Sequence, residues 1–212
     1  IPITIKRTGS HYHSENLSAP YASATAIRHA LLESNEDFRP QVPPSTLPLL
    51  ESAMKNHLLL TEDDFSLPLN YALLLNTPET LSNYLDIPAP LCRRIYRELP
   101  RFHTYSQFAA LLKTKEITRT RINRALLHIV LQLKADQTPP TPIRVLGFHK
   151  TARPLLTRLK QTASTPIITK LTKTYQETYA EDLFASNLYH RISAFKQQKE
   201  APDERSLPIV IL

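Results

Sequence analysis

Glycine and cysteine are nearly absent from this 212-residue sequence, which contains two glycines and one cysteine. A P-loop or a dinucleotide-binding loop needs closely spaced glycines to bring backbone N–H groups near phosphate. Gly9 and Gly147 lie 138 positions apart, so neither loop can form. The single Cys92 excludes a disulfide framework and a zinc site built from several cysteines. An unpaired cysteine fits a reducing compartment, and we expect a cytoplasmic protein.

Long hydrophobic runs are also missing. The clearest apolar runs, Leu58–Leu60 and Leu73–Leu75, are three residues long, far below the ~20 residues of a membrane helix. The first residues, from Ile1 to Arg7, have neither the apolar core nor the cleavage site of a signal peptide. We therefore expect no membrane partner. The chain does not begin with methionine, which indicates a fragment.

Positive charge is concentrated beyond the first part of the chain. Residues 1–85 hold five basic and nine acidic residues, whereas residues 93–170 hold sixteen basic and three acidic residues. A basic stretch of this density beside an acidic one indicates a polyanionic partner, with nucleic acid as the first candidate. The alternative is an ordinary basic protein whose cations are simply solvated.

Apolar periodicity and proline positions predict an α+β fold that is predominantly helical. Helices follow one another over residues 46–133, and the last of them spans Thr118–Lys134. A βαβ unit comes next, in which strands at Ile143–Phe148 and Pro166–Lys170 flank a helix, so the two strands should be parallel. A helix at Tyr179–Lys196 and a short strand at Pro208–Leu212 complete the chain.

The helix predicted over Thr118–Lys134 carries cations where its dipole disfavours them. Five basic residues lie in its first turns or just before it: Lys113, Lys115, Arg119, Arg121 and Arg124. Because stability alone does not favour this arrangement, an external anion such as the RNA backbone is the economical explanation. The alternative is that Glu116 and neighbouring carboxylates neutralise these cations.

On a helical wheel this helix separates into two faces. The apolar stripe consists of Ile122, Leu126, Ile129 and Leu133. The opposite face consists of Arg121, Arg124, His128 and Gln132. We therefore expect the arginines of that face to be dispensable for folding.

A second basic group surrounds the first strand of the βαβ unit. It consists of Arg144, His149, Lys150 and Arg153. Most of these residues follow the carboxyl end of the strand, the edge at which open α/β sheets bind ligands. Without a glycine-rich loop, contact with RNA is favoured over a nucleotide cofactor. Three tyrosines could stack on bases, although helix residues of this kind more often pack in a core: Tyr175, Tyr179 and Tyr189.

Near the start of the chain, Ser23 and Thr25 open a helix whose first turn carries Arg28. Hydroxyl groups, free N–H groups and a guanidinium together can hold a phosphate. The alternative, which spacing alone favours, is an ordinary N-cap followed by a surface arginine. His11 and His13 invite a metal-site interpretation, but no third ligand has a suitable spacing, so loop histidines are favoured.

The segment Ser23–Arg28, Ser-Ala-Thr-Ala-Ile-Arg, resembles the Ile-Ser-Ser-Thr-x-Ile-Arg signature of nucleotidyltransferases that carry a HIGH motif. Three later segments are similar to the C-terminal part of the tRNA(Met) cytidine acetate ligase family: Leu112–Val130, Ile143–Phe148 and Pro166–Lys170. The resemblance implies an enzyme that uses ATP, with Mg2+, to activate acetate as acetyl-adenylate. The acetyl group would then pass to N4 of the wobble cytidine of elongator tRNA(Met).

The resemblance also implies an ATP-binding role for four residues: Arg7, Ser23, Thr25 and Arg28. The predicted tRNA contacts, argued from charge, are Lys113, Lys115, Arg119, Arg121, Arg124, Arg144, Lys150 and Arg153. The family's glycine-rich strand end and His-x-x-His adenylation motif are absent from the 212 residues. We therefore expect that the 212 residues are the C-terminal half to two-thirds of such a ligase and that they are inactive by themselves.

Three domains are predicted on this basis. Residues 1–37 would be the tail of a HIGH-type nucleotidyltransferase domain, residues 38–140 a helical region, and residues 141–212 a small α/β unit. Two other functions stay open: a non-catalytic module that binds structured RNA, and an adenylyltransferase that acts on a small molecule. The second would leave the basic stretch unexplained.

Overall fold

The computed structural model describes residues 2–4, 15–17, 21–56, 58–135 and 142–212. These residues belong to two compact units, Ile1–Leu60 and Thr61–Leu212, and each unit is described by itself. The predicted domain boundary after residue 140 lies outside the described residues. The predicted three-domain division stays a prediction.

The first unit is built on helices α1 (Ala24–Leu32) and α2 (Leu47–Lys55), separated by a 3-10 turn. Helix α1 begins where the sequence predicts, because the N–H of Ala26 donates to Ser23 Oγ at 3.0 Å. A small core gathers Ala30, Leu31 and Phe38. At the start of the chain, the described residues Pro2–Thr4 are irregular.

The second unit begins with a helical part. Its helices are α3 (Ser66–Leu74), α4 (Pro78–Leu81), α5 (Ala89–Glu98), α6 (Tyr105–Leu112) and α7 (Arg119–Val130). Their apolar faces meet in one core, in which Ile95, Phe108 and Leu126 have no exposed surface. Each such side chain stabilises the fold by roughly 1.5–3 kcal/mol through leaving water.

Helix α7 is shorter than predicted. It ends at Val130 instead of Lys134, because Gln132 adopts a left-handed backbone conformation with φ of 59°. The N–H of Leu133 then bonds back to the helix at 2.9 Å. Leu133 therefore lies outside α7, and the apolar stripe within the helix consists of Ile122, Leu126 and Ile129, all fully buried.

Cys92 lies on α5, inside the core of the helical part. It is 3% exposed, and its Sγ donates a hydrogen bond to the carbonyl oxygen of Pro78 at 2.7 Å. Burial raises the pKa of the thiol. The cysteine is thus a core residue and poorly ionised.

The last part of the second unit mixes short strands with helices. Its strands are β1 (Ile143–Arg144), β2 (Gly147–Phe148), β3 (Ile167–Ile168) and β4 (Val210–Ile211). Its helices are α8 (Arg153–Thr162), α9 (Lys173–Thr178) and α10 (Ala180–Gln197). Strand β1 pairs with β3 in parallel, with α8 in the connection, which confirms the predicted parallel pair. Among the described residues, no helix is both long and apolar enough to cross a bilayer.

The single strand predicted over Ile143–Phe148 is in fact two strands that have different partners. The N–H of Val145 donates to Ile168 at 2.9 Å, whereas the carbonyl oxygen of Leu146 accepts from Val210 at 3.0 Å. Strand β2 therefore pairs in parallel with β4, at the far end of the sequence. Gly147 permits this approach, since a Cβ there would lie 3.0 Å from the carbonyl oxygen of Val210.

Candidate nucleic-acid interface

Three of the four residues predicted to bind ATP lie in the first turns of α1. Ser23 is buried, and its hydroxyl caps the helix. Thr25 is half-buried and Arg28 is exposed. The N–H groups of Ala24 and Thr25 have no hydrogen-bond partner among the described residues. Arg7, the fourth residue, lies outside the described residues, as do His11 and His13.

The five predicted RNA contacts around the start of α7 are brought together as one segment, which we call the α7 surface: Lys113, Lys115, Arg119, Arg121 and Arg124. The segment runs from the end of α6 through a short turn into α7. Thr118 caps α7, because its Oγ1 accepts a hydrogen bond from the N–H of Arg121 at 3.3 Å. The positive end of the helix dipole therefore coincides with this group of cations.

Arg119 is paired within the unit. Its guanidinium donates to Glu62 at 2.5 Å and to the side chain of Asn123 at 3.0 Å. The amide of Asn123 in turn donates to the second oxygen of Glu62 at 2.6 Å. The idea that neighbouring carboxylates neutralise these cations fits Arg119, although the carboxylate comes from Glu62.

Arg124 is also paired. Its partner, Asp86, lies in the loop between α4 and α5, which a helical wheel of α7 does not include. The Nε of Arg124 donates to Asp86 Oδ2 at 2.6 Å, and His128 Nδ1 lies 3.5 Å from the same oxygen. Asp86 has a left-handed backbone with φ of 63°. Arg124 therefore links the loop between α4 and α5 to α7. This contact argues against the expectation that Arg124 is dispensable for folding.

The other three cations of the α7 surface are exposed: Lys113, Lys115 and Arg121. No carboxylate among the described residues pairs with any of them. Their charges face solvent at the positive end of a helix. An external anion would gain from both the side chains and the helix dipole.

Arg144, predicted to contact RNA, forms an ion pair inside the α/β part. Its guanidinium donates to Glu204 at 2.7 Å, and the two side chains are only 18% and 12% exposed. Ser186 Oγ donates to the other oxygen of this carboxylate at 2.6 Å. Burial raises the pKa of Glu204, but the hydrogen bonds from Ser186 and Arg144 outweigh burial and lower it.

Lys150 and Arg153 lie at the start of α8 and are exposed. The backbone N–H of Lys150 donates to Leu212 at 2.8 Å, which fixes this turn beside β4. Neither side chain forms an ion pair within the part of the chain that the structure describes. The structure therefore separates these two free cations from Arg144, whose charge is balanced by Glu204.

A cleft of about 690 Å3 opens where the chain passes from β1 to β2, and we call it the switch cleft. The carboxyl ends of β1 and β3 and the segment before β4 form its walls. Its charged lining residues are Arg144, Lys170, Glu204 and Arg205. Lys170 and Arg205 were not predicted as site residues from the sequence. Lys170 follows β3 directly, so the rule for parallel strands could have found it; Arg205 is brought there by the distant pairing of β4.

The three tyrosines considered for base stacking differ in exposure. Tyr179 is buried in a small core, and its hydroxyl donates to the carbonyl oxygen of Pro142. Tyr175 packs against the same core. Tyr189 is partly exposed, with its ring edge-on to His190. Among the described residues, no cluster of three or more His, Cys, Asp or Glu could hold a metal ion.

Comparison with known sequences gives two results. The chain matches the model of the HIGH Nucleotidyl Transferase family over residues 1–204. It is 32% identical over 200 residues to the tRNA(Met) cytidine acetate ligase of Thermoanaerobacter sp. (strain X514), an alignment that covers 89% of this chain and 49% of that protein. The ligase of the same name from Clostridium novyi (strain NT) is 32% identical over 219 residues, an alignment that covers 100% of this chain and 54% of that protein. The chain thus spans about half the length of the curated relatives it matches.

The fold is also similar to solved structures. Apo TmcAL from Thermotoga maritima (form I) superposes with a TM-score of 0.85 at 22% identity, over 98% of this chain and 55% of that one. TmcAL from the same organism bound with alpha-thio ATP (form II) superposes with a TM-score of 0.80 at 21% identity, over 91% of this chain and 52% of that one. This likeness supports the fold independently of the sequence match. Because the family model matches nearly the whole chain, the chain belongs to the HIGH nucleotidyl transferase family.

Proposed function

We propose that this chain is the tRNA-binding portion of an ATP-dependent ligase. The enzyme would activate acetate as acetyl-adenylate, with Mg2+ accompanying ATP, and acetylate N4 of the wobble cytidine of elongator tRNA(Met). Relatives at 32% identity carry the name tRNA(Met) cytidine acetate ligase, which supports this assignment. The single buried cysteine supports a cytoplasmic location for the enzyme.

The observation that carries the RNA-binding part of the proposal is the group of unpaired cations on the α7 surface. Lys113, Lys115 and Arg121 are exposed and have no carboxylate partner among the described residues. RNA phosphates would supply the missing anions. Arg119 and Arg124 would take part while bound to Glu62 and Asp86, since each guanidinium keeps further N–H donors. Lys150 and Arg153 extend the proposed contact to the start of α8.

ATP would bind near the start of α1. We propose that Arg28 contacts its phosphates together with the N–H groups of Ala24 and Thr25, while buried Ser23 holds the turn. Arg7 completes this proposed set. A solved structure of similar fold contains alpha-thio ATP, which supports nucleotide use by the family. For the 212 residues alone we expect no acetate-dependent release of pyrophosphate.

The test of RNA binding is a salt titration of tRNA affinity for the parent chain, Arg121→Ala and Lys199→Ala. Lys199 is exposed at the end of α10 and provides a control of equal charge change. We expect Arg121→Ala to weaken binding and to lower the slope of log affinity against log salt by about one unit. Lys199→Ala should behave like the parent. Equal slopes for all three proteins would contradict the proposed interface.

A non-catalytic module that binds structured RNA is the second candidate function. The exposed cations support this module as well as they support the ligase, because they are evidence for RNA binding and not for a chemical step. Acetate-dependent pyrophosphate release and N4-acetylcytidine formation by the full-length gene product would support the ligase. RNA binding without either product would favour the module.

A further inference from the structure

The switch cleft has more cations than carboxylates. Arg144, Lys170 and Arg205 line it together with Glu204. A fourth cation lies at its edge, because Lys160 Nζ is 3.0 Å from Thr169 Oγ1, and Thr169 lines the cleft. Glu204 and the neighbouring Asp203 balance only part of this charge. The cleft therefore favours an anionic ligand.

Two guanidinium groups of the cleft, those of Arg144 and Arg205, are held in place before any ligand binds. Asp203 accepts three hydrogen bonds from the guanidinium of Arg205, at 2.6, 2.9 and 3.1 Å, and a fourth from the backbone N–H of Arg205 at 3.0 Å. Glu204 fixes Arg144, and the N–H of Glu204 donates to Asn187 on α10 at 2.8 Å. Because these two arginines are already ordered, less side-chain entropy is lost at them when a ligand binds.

An aromatic surface adjoins the cleft. A second depression, of about 320 Å3, lies along α9 and α10, and Arg205 lines both it and the switch cleft. Phe184 forms part of this depression and is 45% exposed. Gln176 lies beside it, and its side-chain amide has no hydrogen-bond partner among the described residues. A flat apolar ring, a free amide and a guanidinium therefore share one surface.

We propose that this composite surface binds one unpaired nucleotide of an RNA. Its phosphate would lie in the switch cleft against Lys170 and Arg205, its base would stack on Phe184, and Gln176 would reach the edge of the base. Proteins bind single-stranded RNA through this combination of cationic grooves and aromatic rings. A duplex keeps its bases stacked inside the helix and would leave Phe184 unused. The inference rests on the proposed function in taking RNA as the ligand, but it concerns a surface separate from the α7 surface.

The experiment measures the affinity of the 212-residue chain for an unstructured RNA oligonucleotide of about ten residues and for intact tRNA. We expect Phe184→Ala to weaken binding of the oligonucleotide by roughly tenfold or more, the usual effect of removing one stacking ring. Phe195→Ala is the matched control, because Phe195 lies on the same helix, is 86% exposed and lines neither depression. Lys170→Ala should lower the salt slope by about 0.7 units, whereas Lys199→Ala should not.

Thermal unfolding of each variant accompanies the binding measurements, so that a folding defect is recognised. If Phe184→Ala and Phe195→Ala bind the oligonucleotide equally while Arg121→Ala still loses tRNA affinity, the nucleotide site is wrong and the proposed function stands. If Phe184→Ala loses affinity and Arg121→Ala does not, the nucleotide site stands and the α7 interface is wrong. A short glutamate peptide that binds as tightly as the RNA, with the same loss on Lys170→Ala, would overturn the assignment to RNA.

Discussion

Arg119 and Arg121 lie two positions apart on α7, yet they differ in what holds them. Arg121 is exposed and sits unfavourably at the positive end of the helix dipole, so Arg121→Ala should leave the free energy of unfolding unchanged or raise it slightly. Arg119→Ala breaks the contact with Glu62 and should lower that free energy by up to about 1 kcal/mol, because the pair is one-third exposed. Urea unfolding followed by circular dichroism measures both. Equal losses would mean that Arg121 has a structural partner.

A larger change in the free energy of unfolding is expected at Glu204, since its carboxylate is the partner of the largely buried Arg144 guanidinium. Glu204→Gln leaves Arg144 without its counter-charge, and we expect a loss of about 3 kcal/mol, the lower end for a broken buried pair, because this pair opens onto a cleft. Glu200→Gln, an exposed change in the same segment, should cost less than about 0.5 kcal/mol. Urea unfolding at neutral pH compares the two variants.

The pH dependence of the free energy of unfolding should reflect the ionisation of the same Glu204 carboxylate. The pKa of Glu204 in the folded protein lies below the usual 4.5. Its stabilising contribution is therefore complete above about pH 4.5 and is lost as the pH falls through the folded-state pKa. Unfolding measured between about pH 6 and pH 3 should show a steeper loss for the parent than for Glu204→Gln. Parallel curves would show that another group dominates acid unfolding.

At the scale of elements, the pairing of β2 with β4 depends on Gly147. A Cβ at this position would lie 3.0 Å from the carbonyl oxygen of Val210 and 3.1 Å from its Cβ, so Gly147→Ala must push the strands apart. We expect a loss of about 1–3 kcal/mol and faster amide exchange at Val210 and Leu212. The amide of Val145, which bonds to β3, is the internal control and should keep its protection. Unchanged exchange at Val210 would contradict this prediction.

Local patterns predicted the elements better than they predicted the partners of those elements. The N-cap of α1, the apolar stripe of α7 and the parallel pair β1–β3 follow from caps, periodicity and the βαβ connection. The change of partner after Val145 does not, because β2 meets a strand about sixty residues away, and alternation of apolar residues carries no information about such pairing. The early end of α7 depends on the left-handed conformation of Gln132, a residue type that gives no strong C-cap signal.

The same limit applies to the candidate site. Composition and charge were enough to predict the cations of the α7 surface and of the α/β part. Their counter-ions were not predicted, because Glu62 and Asp86 lie 57 and 38 positions away from the arginines that they bind. Arg205 was not predicted because the fold of the C-terminal segment brings it beside the ends of β1 and β3, and Phe184 was not predicted because only the folded chain places it next to Arg205. Charge is thus readable from a sequence, whereas its neutralisation is a property of the folded chain.

At the scale of the whole molecule, residues Thr61–Leu212 should fold without the first unit. The main core contains only residues of this segment, and α10 connects its two parts, because Lys196 pairs with Asp64 at 2.8 Å and Leu188 packs on the helical core. We expect Thr61–Leu212 alone to unfold cooperatively in urea and to keep the salt-dependent RNA binding of the 212-residue chain. A broad, non-cooperative transition would show that the segment needs residues 1–60.

The buried position of Cys92 has a practical consequence for chemical labelling. Electrophilic reagents that react with thiolates should modify the native chain slowly, because the Cys92 thiol is enclosed in the core and poorly ionised. A second cysteine introduced at exposed Lys199 would then accept a fluorophore or spin label while Cys92 stays in place. Conversely, the rate at which Cys92 itself becomes reactive would time the opening of the helical core, with no added reporter group.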